Sequence, residues 1–277
     1  MYRQEKENMR EQGIDMIRTK KYNCGNYQEI EIFNVSPRKR KYERARKVKE
    51  STPAQKNLNS KRAQRYFARL CNLNFSEGDY SVDATYDDAH LPANRDEALR
   101  DVRNYARRVR YEMAKRGKED VEFVYVISNH KGDDTGSKAR CHIHMIFKGA
   151  DRDVLEKKWK AGYCNTDKLR FSETGITGKA LYMARQGKSK RCWGGSLGLK
   201  KPEPIVSDRT FTRGQVERII NDPGDGRFIS KLINKNNKTK YVFTDCIVEH
   251  DGRQVGFFSE DPGDGLGFSV LIRMRRE

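Results

Sequence analysis

The chain has 277 residues, 35% of them hydrophobic and 35% charged, with 57 Lys and Arg against 39 Asp and Glu and a formal net charge of +18. That length allows one sizeable domain with extensions or two small ones, and a field of that sign draws the chain to polyanions, nucleic acid first. No apolar run approaches the roughly 20 residues of a bilayer span, no signal-peptide apolar stretch follows Met1, and the six cysteines stand singly without CxxC or zinc-ribbon spacing, so a membrane partner, a secreted disulfide framework and a zinc finger are set aside in favour of a reducing, cytoplasmic setting.

Taken in order, residues 1–26 are polar and mixed in charge, and the reading expects them loosely ordered. Tyr27–Phe33 partly alternates and is expected as an edge strand. The densest charge run follows, with Arg38, Lys39, Arg40, Lys41, Arg44, Arg46 and Lys47. It reads as an arm for DNA phosphates. Residues 53–73 carry Ala63, Phe67 and Leu70 at helical spacing with Lys61, Arg62, Arg65 and Arg69 around them, a basic helix docked by a narrow apolar stripe. Arg62 and Arg65 join the phosphate-binding set, with Tyr42, Tyr66 and Phe67 as candidate base-stacking rings.

Tyr80–Tyr86 reads as a strand entering the Asp87-Asp88-Ala89-His90-Leu91-Pro92 loop. Asn94 opens a helix, with Glu97 placed as in a capping box. Leu99, Val102, Ala106, Val109 and Met113 keep one face of it inward, while Arg100, Arg103, Arg107 and Arg110 stay outward and Gly117 ends it. Val121–Ser128 and the stretch from Cys141 make an antiparallel hairpin. A short helix is expected over Asp151–Ala161, closed by Gly162. After Pro202 come a helix over 212–221 and strands at Tyr241–Glu249, Gln254–Ser259 and Phe268–Arg273. The turn sequence Asp-Pro-Gly-Asp-Gly occurs twice, at 222–226 and 261–265. The fold class is α+β: an antiparallel sheet flanked by helices, with a basic N-terminal extension (1–73), a core (74–204) and a β-rich C-terminal section (205–277) that completes the same domain or stands apart.

The chemistry centres on Cys141–Phe147. Alternation puts Cys141, Ile143, Met145 and Phe147 on one strand face and Arg140, His142, His144 and Ile146 on the other. His142 and His144 then stand side by side, about 7 Å apart at Cα, and neutral imidazole is a good ligand for most catalytic divalent ions. The segment 174–187 supplies the second part. At 100° per residue Ile176, Ala180, Met183 and Ala184 form its inward stripe, and Lys179, Tyr182, Arg185 and Gln186 gather opposite. Tyr182 is thus a phenol among phosphate-binding cations. Together these parts suggest attack of Tyr182 on a phosphodiester near a bound divalent ion, with Lys179 or Arg185 stabilising the phenolate or the phosphoryl oxygens.

The ordered set Val82-Asp83-Ala84-Thr85-Tyr86-Asp87-Asp88 with His90-Leu91-Pro92, then His142-Ile143-His144, then Tyr182, then Leu199-Lys200-Lys201-Pro202 brings out a resemblance. Over residues 50–205 the chain is similar to the rolling-circle replication initiators of phages and plasmids of low-GC Gram-positive bacteria, within the HUH endonuclease superfamily. The resemblance implies a sheet of RRM-like topology with both histidines on a central strand. It also implies a Mn²⁺- or Mg²⁺-dependent nick of single-stranded origin DNA with Tyr182 covalently linked, a host helicase as further partner, and a bacterial cytoplasm. A transposase or mobilisation relaxase would share the chemistry, and a non-catalytic DNA-binding regulator would share only the binding.

Two departures bear on the transfer. Relatives place a Lys a few residues after the tyrosine, where this chain has Arg185, so Lys179 is the alternative proton donor. Relatives often take the third metal ligand as a Glu ending the preceding strand, where this chain reads Ser128-Asn129-His130. His130 is the expected third ligand, Asp83 its rival and Glu122 a distant third.

Overall fold

In the computed structural model the described residues are 16–35, 53–128, 140–187, 193–235, 239–251 and 267–277, and they form two antiparallel five-stranded sheets and six helices. The chain divides into two compact units, Met1–Arg62 with Pro202–Glu277, and Ala63–Lys201. The expected division at 73/74 and 204/205 differs from this because Phe67, Leu70 and Cys71 pack on the sheet of the second unit, while the first described strands pair with the last.

In the first unit, β1 (Met16–Cys24) and β2 (Tyr27–Val35) form a hairpin through Gly25 at φ 64. β8 (Ile205–Ser207), β9 (Tyr241–Asp251) and β10 (Gly267–Arg276) complete the sheet in the order β8-β1-β2-β10-β9. Tyr27–Phe33 is therefore not an edge strand but lies in the middle strand, since β10 pairs along its other side. Nor is the whole of 1–26 loose: β1 forms from a sequence with little alternation because both β2 and β8 supply its ladder partners. Ile30, Ile32, Val270, Ile272 and Met274 pack one sheet face against Val216 and Ile219 of α5 (Arg213–Asn221) and Ile229 and Ile233 of α6 (Gly226–Asn234). The expected helix at 212–221 is α5, started by a Thr212–Gln215 capping box. The first Asp-Pro-Gly-Asp-Gly turn ends α5 at Asp222 and caps α6 with Asp225, whose carboxylate accepts from Phe228 N at 3.0 Å. Residues 254–259 and 261–265 lie outside the described residues.

The second unit holds the other sheet. β3 (Tyr80–Thr85) is followed by α2 (Arg95–Lys115), β4 (Glu122–Ser128), β5 (His142–Lys148), α3 (Arg152–Lys158) and β6 (Cys164–Lys168). With β7 (Trp193–Gly195) the strand order is β6-β3-β5-β4-β7, so β5 is central. α2 and α3 cover one face, where Val102, Tyr105, Val109, Met113 and Leu155 meet Val82, Ile143, Met145 and Phe147. Each fully buried large apolar side chain there contributes about 1.5–3 kcal/mol. The other face packs Val124, Val126 and Ile146 against Phe67, Leu70 and Cys71 of α1 (Pro53–Asn74), against Ala180 and Met183 of α4 (Thr177–Gln186) and against Ile176, which precedes it.

Local signals account for these helices. Asn94 caps α2 by accepting from Glu97 N at 3.0 Å, though Glu97 reaches back to Ala93 N rather than to Asn94. α3 stops at Lys158, short of the expected Ala161. Trp159 leaves the helix in an extended conformation, packs edge-on against Tyr86 and Tyr105, and donates from Nε1 to Thr85 O at 3.0 Å. On α1 the apolar stripe is Phe67, Ala68, Leu70 and Cys71; Ala63 is exposed, and Arg69, expected outward, is buried.

Candidate functional site

The antiparallel register assembles the site one row at a time. On β5 and its neighbours Asp83 stands directly opposite His144, and Thr85 opposite His142. Val126 and Ser128 flank the two histidines on the β4 side, and Asn165 lies beyond Asp83 on β6. Because side chains alternate, Ile143, Met145 and Phe147 sink into the opposite core and hold both imidazoles at a fixed height. The His142 and His144 ring centroids are 4.7 Å apart, with the rings nearly perpendicular at 89°.

Each imidazole has its Nδ1 taken. His142 Nδ1 lies 3.0 Å from the Arg140 carbonyl oxygen, and His144 Nδ1 bonds Asp83 Oδ1. A carbonyl and a carboxylate only accept, so both rings carry a proton on Nδ1, and in the neutral ring that tautomer leaves the lone pair on Nε2. His144 is 5% exposed, and its Nε2 is buried with no hydrogen-bond partner among the described residues. Burial holds the His142 imidazole below its usual range, against the opposing pull of the Arg140 carbonyl, which favours the neutral, ligand-competent ring. The hydrogen bond from His144, helped by the charge of Lys179, holds the Asp83 carboxyl below its ordinary range despite its burial.

The tyrosine helix is set over this pair. Asn72 of α1, itself buried, accepts from Ile176 N at 3.0 Å and donates to Thr177 Oγ1 at 2.9 Å and Ala68 O at 3.0 Å. Ile176 makes no side-chain cap of its own; Asn72 instead satisfies the Ile176 amide just ahead of α4 and ties the first helical residue, Thr177, to α1. Ala180, Met183 and Ala184 are buried as their spacing predicts, and Tyr182, 52% exposed, faces out of the helix with its ring centroid 5.8 Å from that of His144. One turn earlier Lys179 Nζ lies 3.8 Å from Asp83 Oδ2, a pair partly open to solvent. Arg185 is exposed on the last turn of α4.

The structure thus brings together His142, His144, Asp83, Tyr182 and Lys179. Glu122 sits at the far end of β4, paired with Lys148 while Ser128 pairs with His142, about 20 Å away at the strand rise; it is no candidate ligand. His130, Tyr42 and the run Arg38, Lys39, Arg40, Lys41, Arg44, Arg46 and Lys47 lie outside the described residues. Arg62 is exposed and Arg65 half-buried on α1. Phe67 is fully buried against Trp193, so it cannot take a nucleobase. The Leu199-Lys200-Lys201-Pro202 motif is tied to the end of α1, where the Asn74 amide brackets Lys200 at 2.7 and 2.8 Å. Beside the β3 strand end, Arg140 pairs with Asp88, and His90 Nδ1 lies 2.7 Å from Asp87.

Three neighbours escaped the sequence reading. Asn72 and Asn165 carry no motif signal. Tyr163, 70% exposed, follows the alternation of β6 onto the Thr85 side, because Cys164 packs into the opposite core and Tyr163 O accepts from Thr85 N at 2.8 Å. A large exposed aromatic ahead of a polar strand is the signal that would have found it.

Two imidazoles on adjacent rows, one with its Nε2 buried and unsatisfied, are the donor type a divalent ion takes, and Asp83 on Nδ1 of His144 has the place of the outer carboxylate that commonly orients a metal-binding histidine. Among the described residues no group of three or more His, Cys, Asp or Glu is placed to hold a metal ion. Comparison with protein-family models, with curated proteins and with solved structures gave no match in any of the three. No helix among the described residues is long and apolar enough to cross a membrane.

Proposed function

We propose that the chain is a divalent-metal-dependent single-strand DNA endonuclease and strand transferase of the HUH type, which opens rolling-circle replication in a bacterial cytoplasm. The observation that carries the reading is the exposed phenol of Tyr182 beside His144, one of two adjacent imidazoles whose Nδ1 atoms are both engaged. The strand order β6-β3-β5-β4, with α2 and α3 as crossovers on one face, supports an RRM-like arrangement for this unit.

Mn²⁺ or Mg²⁺ held by His142 and His144 would supply charge stabilisation at a phosphoryl oxygen, with His130 the expected third ligand. The chain's own residues do the rest. Tyr182 Oη bonds to phosphorus as the bond from phosphorus to the 3′ oxygen breaks, leaving a 5′-phosphotyrosine and a 3′-hydroxyl that takes up the proton the phenol releases. Lys179 lies one turn from Tyr182 and pairs, among the described residues, with a partly solvated carboxylate, so it can turn to the phenolate or the phosphate; Arg185 binds phosphate without serving as a proton donor. Asp83 fixes the tautomer of His144.

The test is incubation of labelled single-stranded origin candidates with Mn²⁺, Mg²⁺ or chelator, resolved on a denaturing gel. Metal-dependent nicking that is lost in His142→Ala and His144→Ala supports the reading. DNA affinity indifferent to chelator, with no cleavage under any metal, points instead to a non-catalytic DNA-binding regulator.

A further inference from the structure

Arg100, Arg103, Arg107 and Arg110 follow one another on α2 at spacings of three, four and three residues, and all four are exposed. Such spacing makes a straight row along one helix face, about 15 Å long at the helical rise. The opposite face of α2 is spent on the core through Ala98, Val102, Tyr105, Ala106, Val109 and Met113, so the row cannot turn inward. α2 covers the sheet face of Ile143, Met145 and Phe147, which places the row on the other side of this unit from His142 and His144.

The carboxylates of the same helix do not cancel this charge. Glu112 is held by Lys158 at 2.8 Å, and Asp101 accepts from the Tyr86 hydroxyl at 3.2 Å. Glu97 is turned to Ala93 N, and Asp96 pairs with Arg95 at 3.9 Å. Among the described residues none of the four arginines is in an ion pair. Arg110 is braced instead, donating from Nε to Val121 O at 3.0 Å with its guanidinium 5.1 Å from the centre of the Phe123 ring.

We propose that this row is a second nucleic-acid surface, which grips the phosphate backbone of duplex DNA on the side of the unit away from the candidate nicking site. Guanidinium groups match phosphate oxygens in a planar, bidentate fashion that lysine cannot copy, and a straight, rigid row suits a continuous, rigid backbone. Single-strand surfaces interleave cations with several stacking rings, whereas this face offers only Tyr111, already capped by Lys115 Nζ at 4.6 Å. Binding to an anionic membrane would need apolar residues on the exposed side. The inference goes beyond the nicking activity and does not depend on it.

The test is fluorescence anisotropy of the full chain with a 20-base-pair duplex of arbitrary sequence across a salt series, comparing wild type with R100A/R103A/R107A. Arg110 is kept because it braces Val121, and exposed Arg→Ala changes within a helix leave it intact. Neutralising three phosphates contributes a slope of about −2.7 to log affinity against log salt, so the variant's slope is expected to flatten by that amount and R100K/R103K/R107K to restore it. A slope that changes by less than about one overturns the proposal. So does an equal flattening on the corresponding single strand, or an equal loss of binding to phosphatidylserine vesicles.

Discussion

Replacing Asp83 by alanine separates the parts of the candidate site. In the wild type, Oδ1 of Asp83 accepts from His144 Nδ1 directly across the β3–β5 ladder, and Oδ2 lies 3.8 Å from Lys179 Nζ. A hydrogen bond to an ionised group contributes about 1.5–3 kcal/mol. The Lys179 pair, with side chains 35% and 38% exposed, is screened and adds no more than about 1 kcal/mol. The variant is therefore expected to lose about 2–3 kcal/mol of folding stability, nearly all of it through His144. The same change frees His144 to carry its proton on Nε2, the atom a metal would use. Removal of an orienting outer carboxylate of this kind weakens metal affinity about 10- to 100-fold. Two measurements check it: nitrogen-15 NMR of the metal-free protein, which reads the His144 tautomer, and a Mn²⁺ titration. Nδ1–H in the wild type, Nε2–H in Asp83→Ala and the stated loss of affinity are expected. An Nε2–H tautomer in the wild type, or an unchanged Mn²⁺ affinity in the variant, would rule out this role for Asp83.

Two further outcomes follow from the backbone and the caps. Gly162 sits at φ 145 with the Thr85 carbonyl and Asp87 N against the place of its absent Cβ, so Gly162→Ala is expected to cost at least about 1–3 kcal/mol in chemical denaturation. A variant as stable as wild type would contradict this close approach. At the start of α6, the Phe228 amide and Arg218 hold the Asp225 carboxyl below its usual range. A group whose folded-state value is depressed stabilises above its unfolded value and loses that contribution as pH falls through the folded one. The stability difference between wild type and Asp225→Ala should accordingly be constant above about pH 4 and close below it, and a difference independent of pH would exclude the cap.

Much of the second unit was legible because its signals are local. The alternation of Cys141–Phe147 is enough to place both histidines on one face, and the stripes of α2 and α4 appear where their spacing puts them. What escaped depends on partners distant in sequence. β1 has lysines and an arginine through its middle and becomes a strand because β2 and β8 bond to both its edges. β6 buries only Thr166 and has no apolar alternation to read. Arg69 shows how a charge pattern misleads: it stands among outward cations in the sequence but is 5% exposed. In the site, the candidate ligands and nucleophile were readable as residue types, whereas the bond of Asp83 to Nδ1 of His144 is a matter of register between strands 61 residues apart in the chain. Asn72, which seats the tyrosine helix, acts across 105 residues to Thr177, a distance no local pattern spans.

The proposed mechanism stands or falls on Tyr182, the phenol beside His144, as the nucleophile. The most direct measurement is mass spectrometry of the protein after incubation with a nickable single-stranded oligonucleotide and Mn²⁺, followed by trypsin. Cleavage after Lys179 and Arg185 releases Ala180–Arg185, which contains Tyr182 as its one tyrosine. This peptide is expected to carry the 5′-phosphorylated DNA fragment, with the adduct and the nick both gone in Tyr182→Phe. An adduct on another residue such as Tyr163, or nicking that persists in Tyr182→Phe, would contradict it.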